Sequence, residues 1–306
     1  MNFSIIYNPI ATKFSQAALD HLIFKFVERG LKLNTVAKSE YSGHVMKLIK
    51  ELDPVSDYLI TFGGDGTVNE AFRAFNEIEQ HSVYGHISVG TTNDMANNFN
   101  LFRKDPIKSI DKLASKGKEM YMDSVLVNGE PVCYVSSFGY VSAVPYLVNS
   151  KHKKKLGHAA YVVAALPTLV RGPQRIKATY TANGKTKDTD IILALITTSK
   201  GMGGITLYKD VDLNDGKFEV CLIHDFTPAL IAKIFGEYLT DNIDLSKYLD
   251  YADVFSTDEL HIKFTGVLPY DDVDNDGNKA DFSLTLHENE LHYTIGKKIK
   301  ILMPEY

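Results

Sequence analysis

Cysteine is nearly absent from this chain. Among 306 residues only Cys133 and Cys221 occur, each inside an apolar, strand-like run. That excludes a disulfide-rich scaffold and leaves buried thiols in a cytoplasmic protein as the expectation. Long hydrophobic runs are missing too: no stretch approaches the ~20 apolar residues that span a bilayer. The opening residues Met1-Asn2-Phe3-Ser4-Ile5-Ile6-Tyr7 have neither a basic start nor a cleavage site, so they read as a strand and not as a signal peptide. Positive charge is not in excess. With 33 Lys and Arg against 38 Asp and Glu, the net charge of −5 gives no electrostatic case for nucleic acid. The ten histidines show no zinc spacing. Internal repeats and low-complexity tracts are lacking as well. What remains is 44% hydrophobic and 23% charged, the profile of a soluble globular protein long enough for two domains.

The pattern along the chain changes near residue 122. Up to that point strand-like and helical stretches alternate, which predicts a Rossmann-like parallel sheet with helices on both faces. Strands are expected near residues 3–7, 31–36, 58–62 and 86–89. A helix is expected through Ala17, Leu19, Leu22, Phe26 and Val27, and another through His44, Val45, Leu48 and Ile49. Beyond residue 122 the chain reads as antiparallel β. Asn128-Gly129 separates runs 123–127 and 132–136, and Asn183-Gly184 separates runs 175–181 and 188–198. Asn-Gly between β-rich runs is a strong hairpin signal. Further strands are expected at 218–223, 260–264, 280–286, 290–295 and 298–303, with helical insertions at 158–170 and 228–239. The domains are therefore expected at 1–122 and 123–295, the second a β-sandwich, with the tail 296–306 packing back on the first.

Chemistry concentrates in the loops. Gly63-Gly64-Asp65-Gly66-Thr67-Val68-Asn69-Glu70 joins a buried strand to a helix. Glycines let backbone approach a ligand, and a helix N-terminus attracts anions. Asp65 in their midst makes sense if a divalent cation lies between it and phosphates. A second loop, Gly90-Thr91-Thr92-Asn93-Asp94, has the same layout, although Asn93 or Asp94 would also serve simply as an N-cap for a helix from Met95. These loops and one at Asn8 all follow strands, so they should meet on one edge of the sheet.

Together the two glycine loops resemble the catalytic domain of the diacylglycerol kinase family, closest to its soluble bacterial lipid kinases and extending to sphingosine kinases. Tyr7-Asn8-Pro9 is similar to the family's opening strand and loop, although Ile10-Ala11-Thr12-Lys13 departs from its usual continuation, leaving Thr12 or Lys13 to contact phosphate. Ser39, ahead of Ser42-Gly43-His44, matches a hydroxyl position near the nucleotide, and Gly139 resembles the family's Gly-Phe segment. The resemblance implies ATP and Mg²⁺ as cofactors. It assigns nucleotide contacts to Asn8, Ser39, Gly63, Gly64, Asp65, Gly66, Thr67, Val68, Asn69, Glu70 and Thr91. Asp215 would ligate a structural magnesium, with Asp212 and Lys217 contributing backbone carbonyls, and Asp65, Asp94 and Asp215 would share a carboxylate–water–metal network. Asp276-Gly277 matches the family's Asp-Gly-Glu, with Asn278 in place of Glu, so Asp276, Asp65 and Asp94 are the catalytic candidates, Asp276 as base and Asp274 or another neighbour as its substitute. A lipid substrate, diacylglycerol by default, and peripheral attachment to a membrane follow from the resemblance. A homodimer is compatible with it.

Bland readings stand beside these. Asp215-Gly216 favours a turn, and residues 271–278 read equally as an acidic hairpin. They are not a calcium hand, because position twelve is Ser283 and not Glu. Gly184-Lys185-Thr186 lacks the earlier Walker glycine, which is Thr179, and the run at 201–204 ends with Thr206 where a dinucleotide fingerprint needs glycine. The lysines at 151 and 153–155 suit either a solvated helix start or an anionic lipid surface. An NAD kinase shares Gly-Gly-Asp-Gly-Thr and the two-domain layout, and a non-catalytic nucleotide or lipid binder of the same fold is the third alternative.

Overall fold

The computed structural model describes residues 1–139, 175–202, 211–225, 245–265, 274–276 and 289–305, with isolated positions at 205, 206, 208, 227, 230, 233, 237, 278 and 279. The lysine cluster at 151–155, the helix expected at 158–170, most of that at 228–239, the strand at 280–286 and residues 271–273 and 277 lie outside them. The chain divides into two compact units, Met1–Ser124 with Lys297–Tyr306, and Val125–Gly296.

In chain order the first unit begins with β1 (Asn2–Tyr7), α1 (Gln16–Glu28), β2 (Lys32–Lys38), α2 (His44–Leu52), β3 (Tyr58–Gly63), α3 (Asp65–Glu77), β4 (Val83–Ser88), α4 (Met95–Asn98), α5 (Pro106–Lys116) and β5 (Gly117–Met122). The second contains β6 (Val125–Val127), β7 (Glu130–Val132), β8 (Val135–Gly139), β9 (Ile176–Ala182), β10 (Lys185–Ile191), β11 (Leu193–Thr197), β12 (Gly201–Met202), β13 (Ile205–Thr206), β14 (Phe218–Ile223), β15 (Ala252–Thr257), β16 (Glu259–Phe264), β17 (Asp274–Asn275), β18 (Asn278–Lys279) and β19 (Glu290–Ile295). The last strand, β20 (Ile299–Pro304), returns to the first unit and lies between β4 and β5.

The first sheet has the order β2-β1-β3-β4-β20-β5, with β2, β1, β3, β4 and β20 parallel and β5 antiparallel to β20. Strand β1 crosses to β2 in one direction, whereas β2 crosses to β3 and β3 to β4 in the other. Right-handed crossovers therefore put α1 on one face and α2 and α3 on the opposite one. The packing agrees: α2 lies beside α3, and α1 beside α5. The boundary between β1 and β3 is where the winding reverses, and the carboxyl ends of the strands there form the usual ligand crevice. Central β3 and β4 are buried throughout, while edge strand β2 is largely exposed. Helix ends carry local signals: Ser15 accepts from the Ala18 N–H at the start of α1, and Asp105 accepts from Lys108 ahead of Pro106 in α5.

The second unit is a sandwich of two antiparallel sheets, β10-β9-β16-β19-β6-β7 and β15-β14-β11-β8-β17-β18. Leu260, Ile262, Leu291 and Tyr293 from one sheet pack with Phe138, Ile196, Phe218 and Val220 from the other. The Phe138 and Phe264 rings meet edge to face at 5.4 Å. Both Asn-Gly pairs make the expected hairpins, with positive φ at Asn128, Gly129, Asn183 and Gly184. The α/β class, with a parallel-sheet unit and an antiparallel sandwich, is thus the observed architecture. Among the described residues no helix is long and apolar enough to cross a membrane.

A buried polar group sits inside the parallel sheet. Thr61 Oγ1 lies 2.7 Å from the Tyr84 hydroxyl and 2.8 Å from His86 Nδ1, and His86 Nε2 has no partner among the described residues. Burial pushes the His86 pKa down to about 3. In the unfolded chain the ring takes its proton near pH 6.5, so below that pH only the unfolded state gains it, and stability falls until about pH 3. Urea unfolding is expected to show about 2 kcal/mol lost between pH 7 and pH 5, and His86→Gln is expected to remove most of that loss. Equal pH dependence in both proteins would contradict the assignment.

Candidate active site

The loops that follow β1, β3 and β4 are joined at the carboxyl edge of the parallel sheet. Asn8 N–H donates to Phe62 O at 2.9 Å, Val89 N–H to Gly63 O at 2.7 Å, and Lys13 N–H to Val89 O at 2.8 Å. Thr12 Oγ1 and Thr91 Oγ1 are 2.9 Å apart, so two of the hydroxyls expected at phosphate do meet. Packing requires most of the glycines. A Cβ on Gly90 would come within 2.7 Å of Gly64 Cα, and one on Gly63 within 2.2 Å of Thr67 Oγ1. Gly66 differs: it is exposed, and an added Cβ would meet nothing within 4 Å. Among the described residues nothing demands glycine there.

Gly66 lies in the first turn of α3, which has no side-chain cap. The N–H groups of Thr67 and Val68 pair with Gly64 O. Among the described residues no partner takes those of Asp65 and Gly66, which is the situation that lets a helix start hold an anion. Asp65 has a structural use of its own. Its Oδ1 accepts the Met95 N–H at 3.2 Å, capping α4 from a neighbouring loop. Neither Asn93 nor Asp94 caps that helix with its own side chain: Asn93 turns back to accept from Gly90 N–H at 2.8 Å, with φ of 57°. Burial raises the Asp65 pKa, opposed by the amides of Met95, Asp94 and Asn93 and by the charge of Arg103. The residue as a whole stays partly open to solvent.

Arg103 escaped the sequence reading. It donates to Thr92 O through Nε at 3.2 Å and through a terminal nitrogen at 2.9 Å, and it lies 3.6 Å from Asp94 Oδ1. The second glycine loop is thereby clamped, with the Asp94 carboxylate buried beside a guanidinium. Lys13 shares this neighbourhood. Its pKa is lowered by burial first, then by the charges of Lys104 and Arg103. Three cations crowd one loop edge, where an anion would relieve them.

Other candidates have defined jobs. Val68 is fully buried and Asn69 and Thr67 nearly so, which places their side chains in the packing of α3. Glu70 accepts from Gly43 N–H at 2.9 Å and Val45 N–H at 3.0 Å, so it caps α2 across the interface with α3. Ser39 is buried and donates its N–H to Tyr7 O at 2.9 Å. Asn8 Oδ1 accepts from Ile10 N–H, shaping the first loop.

In the second unit, Asp215 and Asp212 are exposed, and each accepts the N–H two residues on, from Lys217 at 2.9 Å and Asn214 at 3.0 Å. The Asp215-Gly216 turn is therefore real, with Gly216 at φ of 73°. Lys217 is exposed as well. Among the described residues no three His, Cys, Asp or Glu side chains converge as a metal site. Glu219, unflagged by its sequence context beyond being an acid in an apolar strand, has its pKa pushed up to about 7 by burial and then by Asp215. Asp276 is buried in a hairpin turn with φ of 55°. Its Oδ2 accepts from Cys133 N–H at 2.7 Å, and its Oδ1 from Tyr134 and Val135 at 2.8 and 3.0 Å. Three main-chain donors occupy the carboxylate cast as the base, which suits an anchor better.

The comparisons with known proteins agree on one family. Residues 2–126 match the diacylglycerol kinase catalytic domain. The diacylglycerol kinase of Bacillus subtilis (strain 168) is 30% identical over 248 residues, 78% of this chain and 80% of that protein. The chain belongs to the diacylglycerol kinase family. The diacylglycerol kinase of Staphylococcus carnosus (strain TM300) is 26% identical over 224 residues, covering 72% of this chain and 71% of its own. A crystal structure of a putative diacylglycerol kinase from Bacillus anthracis str. Sterne superposes over 100% of this chain and 95% of its own, with a TM-score of 0.79 at 19% identity, which supports the fold.

The glycines separate by substitution. Gly90→Ala is expected to lose about 1–3 kcal/mol through overpacking against Gly64, whereas Gly66→Ala is expected to be neutral or to gain about 0.5–1 kcal/mol. Urea midpoints check this; equal losses in both variants would contradict the reading of the loop.

Proposed function

We propose that this protein transfers the γ-phosphate of ATP to a lipid hydroxyl, with diacylglycerol the first choice of acceptor and phosphatidic acid the product. The observation that carries the reading is Gly66, an exposed glycine that no described residue crowds, at a helix start where the N–H groups of Asp65 and Gly66 have no partner among the described residues. Thr12, Thr91, Lys13 and Arg103 supply hydroxyls and positive charge at the same edge. Phosphoryl transfer asks the protein chiefly for positioning and charge stabilisation, and this is what these groups offer.

Magnesium fits the donor chemistry, being a hard cation that prefers oxygen. Asp215, with the carbonyls of Asp212 and Lys217, would hold it on the second unit, and Asp65 and Asp94 would face the nucleotide on the first. When bound it supplies positive charge against the phosphates. A cation there would offset the burial that raises the Asp65 pKa. Family membership motivates a cytoplasmic protein that visits the membrane surface to reach its substrate.

On the acceptor side we assign Asp276 to holding its hairpin turn against Cys133, Tyr134 and Val135. The proton acceptor then falls to a neighbour such as Asp274. Asp276→Asn is expected to lower the melting temperature and the turnover together. A loss of turnover of about 10²–10⁴ at unchanged melting temperature would return Asp276 to the role of base.

The function is tested with the purified chain, Mg²⁺, labelled ATP and a panel of diacylglycerol, ceramide, phosphatidylglycerol and NAD, read by product mass. Phosphatidic acid is the expected product, abolished by Asp65→Ala. Phosphorylated NAD without any lipid product would replace the reading, and ATP binding without turnover on any acceptor would make the protein a binder.

A further inference from the structure

We infer that Tyr41, backed by His44, seats the base of the nucleotide, so that the nucleotide lies along the sheet edge with its base at the β2 end and its terminal phosphate at the β4 end. This deepens the proposed ATP reading and rests on it.

The loops stand along the carboxyl edge in the order of their strands: that after β2, then β1, β3 and β4. Their chemistry is graded. Phosphate-suited groups occupy the β1, β3 and β4 loops: Thr12 and Lys13, the open helix start at Gly66, and Thr91 with Arg103. The β2 loop has a different character. There the rings of Tyr41 and His44 stack at 4.4 Å and 4° from parallel, yet Tyr41 remains 59% exposed. A flat aromatic face, half covered and half in water, is a platform for another flat ring.

The platform is held rigidly. Glu40 N–H donates to His44 Nδ1 at 3.1 Å, which fixes the imidazole under the phenol. Gly43 takes φ of 86°, and its N–H and that of Val45 both donate to the Glu70 carboxylate. Glu70 stands five residues after Asp65 on α3, about 7.5 Å along the axis at 1.5 Å per residue. The same helix that offers its N-terminus to phosphate therefore fixes the loop that carries Tyr41. On the other side, Ser39 is tied to Tyr7 at the end of β1. Both anchors lie beside the crevice at the β1–β3 boundary. Glu70 acts here as a positioning residue through the loop and touches no nucleotide atom.

Stacking tolerates any base but favours larger faces, so ATP and GTP should depend on Tyr41 alike and more than pyrimidine nucleotides do. The test compares equilibrium binding of MgATP and of magnesium tripolyphosphate, which has the phosphates without a base, to the purified wild-type chain, Tyr41→Ala and Tyr41→Phe. Tyr41→Ala is expected to weaken ATP about tenfold and to leave tripolyphosphate unchanged, while Tyr41→Phe stays within about twofold of wild type. Unchanged ATP binding by Tyr41→Ala would overturn the platform. Equal weakening of both ligands would overturn it too, since Tyr41 would then only shape the loop. If the wild type binds tripolyphosphate but not ATP, the base site is wrong and the phosphate site stands. If it binds neither, the ATP reading itself fails and takes this inference with it. Tyr41 is exposed, so all three proteins should melt alike, and a melting curve on each confirms it.

Discussion

Two backbone segments meet at Gly64 and Gly90 with no room for a side chain between them. Here the ends of β3 and β4 close to van der Waals contact. That closeness lets Asp65 on one loop reach the Met95 amide on the other and lets Thr12 reach Thr91. The start of α3 stays open at Gly66, and the charge of Arg103 reaches Asp65 in the same turn. An uncapped helix start, two hydroxyls and crowded cations together would suit an anion, and the glycine contact joins the loops that carry them.

The second unit solves a different problem with a similar device. A buried carboxylate is costly unless its lone pairs are met. Asp276 meets them with the amides of Cys133 and Tyr134, between β7 and β8, and of Val135 at the start of β8, and in doing so ties a hairpin turn to its own sheet. Asp65 and Asp276 both spend oxygen atoms on main-chain N–H groups. Asp65 as a whole residue is only partly covered, whereas Asp276 is buried.

Much of this was legible in the residues. The glycine loop was visible because glycines punctuate a change from a buried strand to a helix, and the two Asn-Gly hairpins because both turn positions need positive φ. The continuous apolar run through Ile191, Ile192 and Leu193 hid a break, where the chain leaves one sheet of the sandwich for the other with no turn residue to mark it. Likewise the strand expected at 132–136 is two strands, parted at Cys133 and Tyr134, whose amides are claimed by an aspartate far along the chain. Glu70 adjoins the glycine motif, and its bonds to Gly43 and Val45 could not be seen in it. Arg103 had no motif around it at all. In each case the deciding partner is distant in sequence, and no local pattern announces it. Of the residues whose spacing marked α1, Leu19, Leu22 and Phe26 are buried, whereas Ala17 and Val27 are exposed and Ala18 is buried.

If the phosphates of ATP lie on the joined loops at Gly64 and Gly90, hydrogen exchange of the purified full chain, with and without MgATP, will show it. Peptides covering residues 63–68 and 90–95 should exchange more slowly with the nucleotide bound. ATP binding that leaves both segments unchanged and slows exchange elsewhere would contradict it.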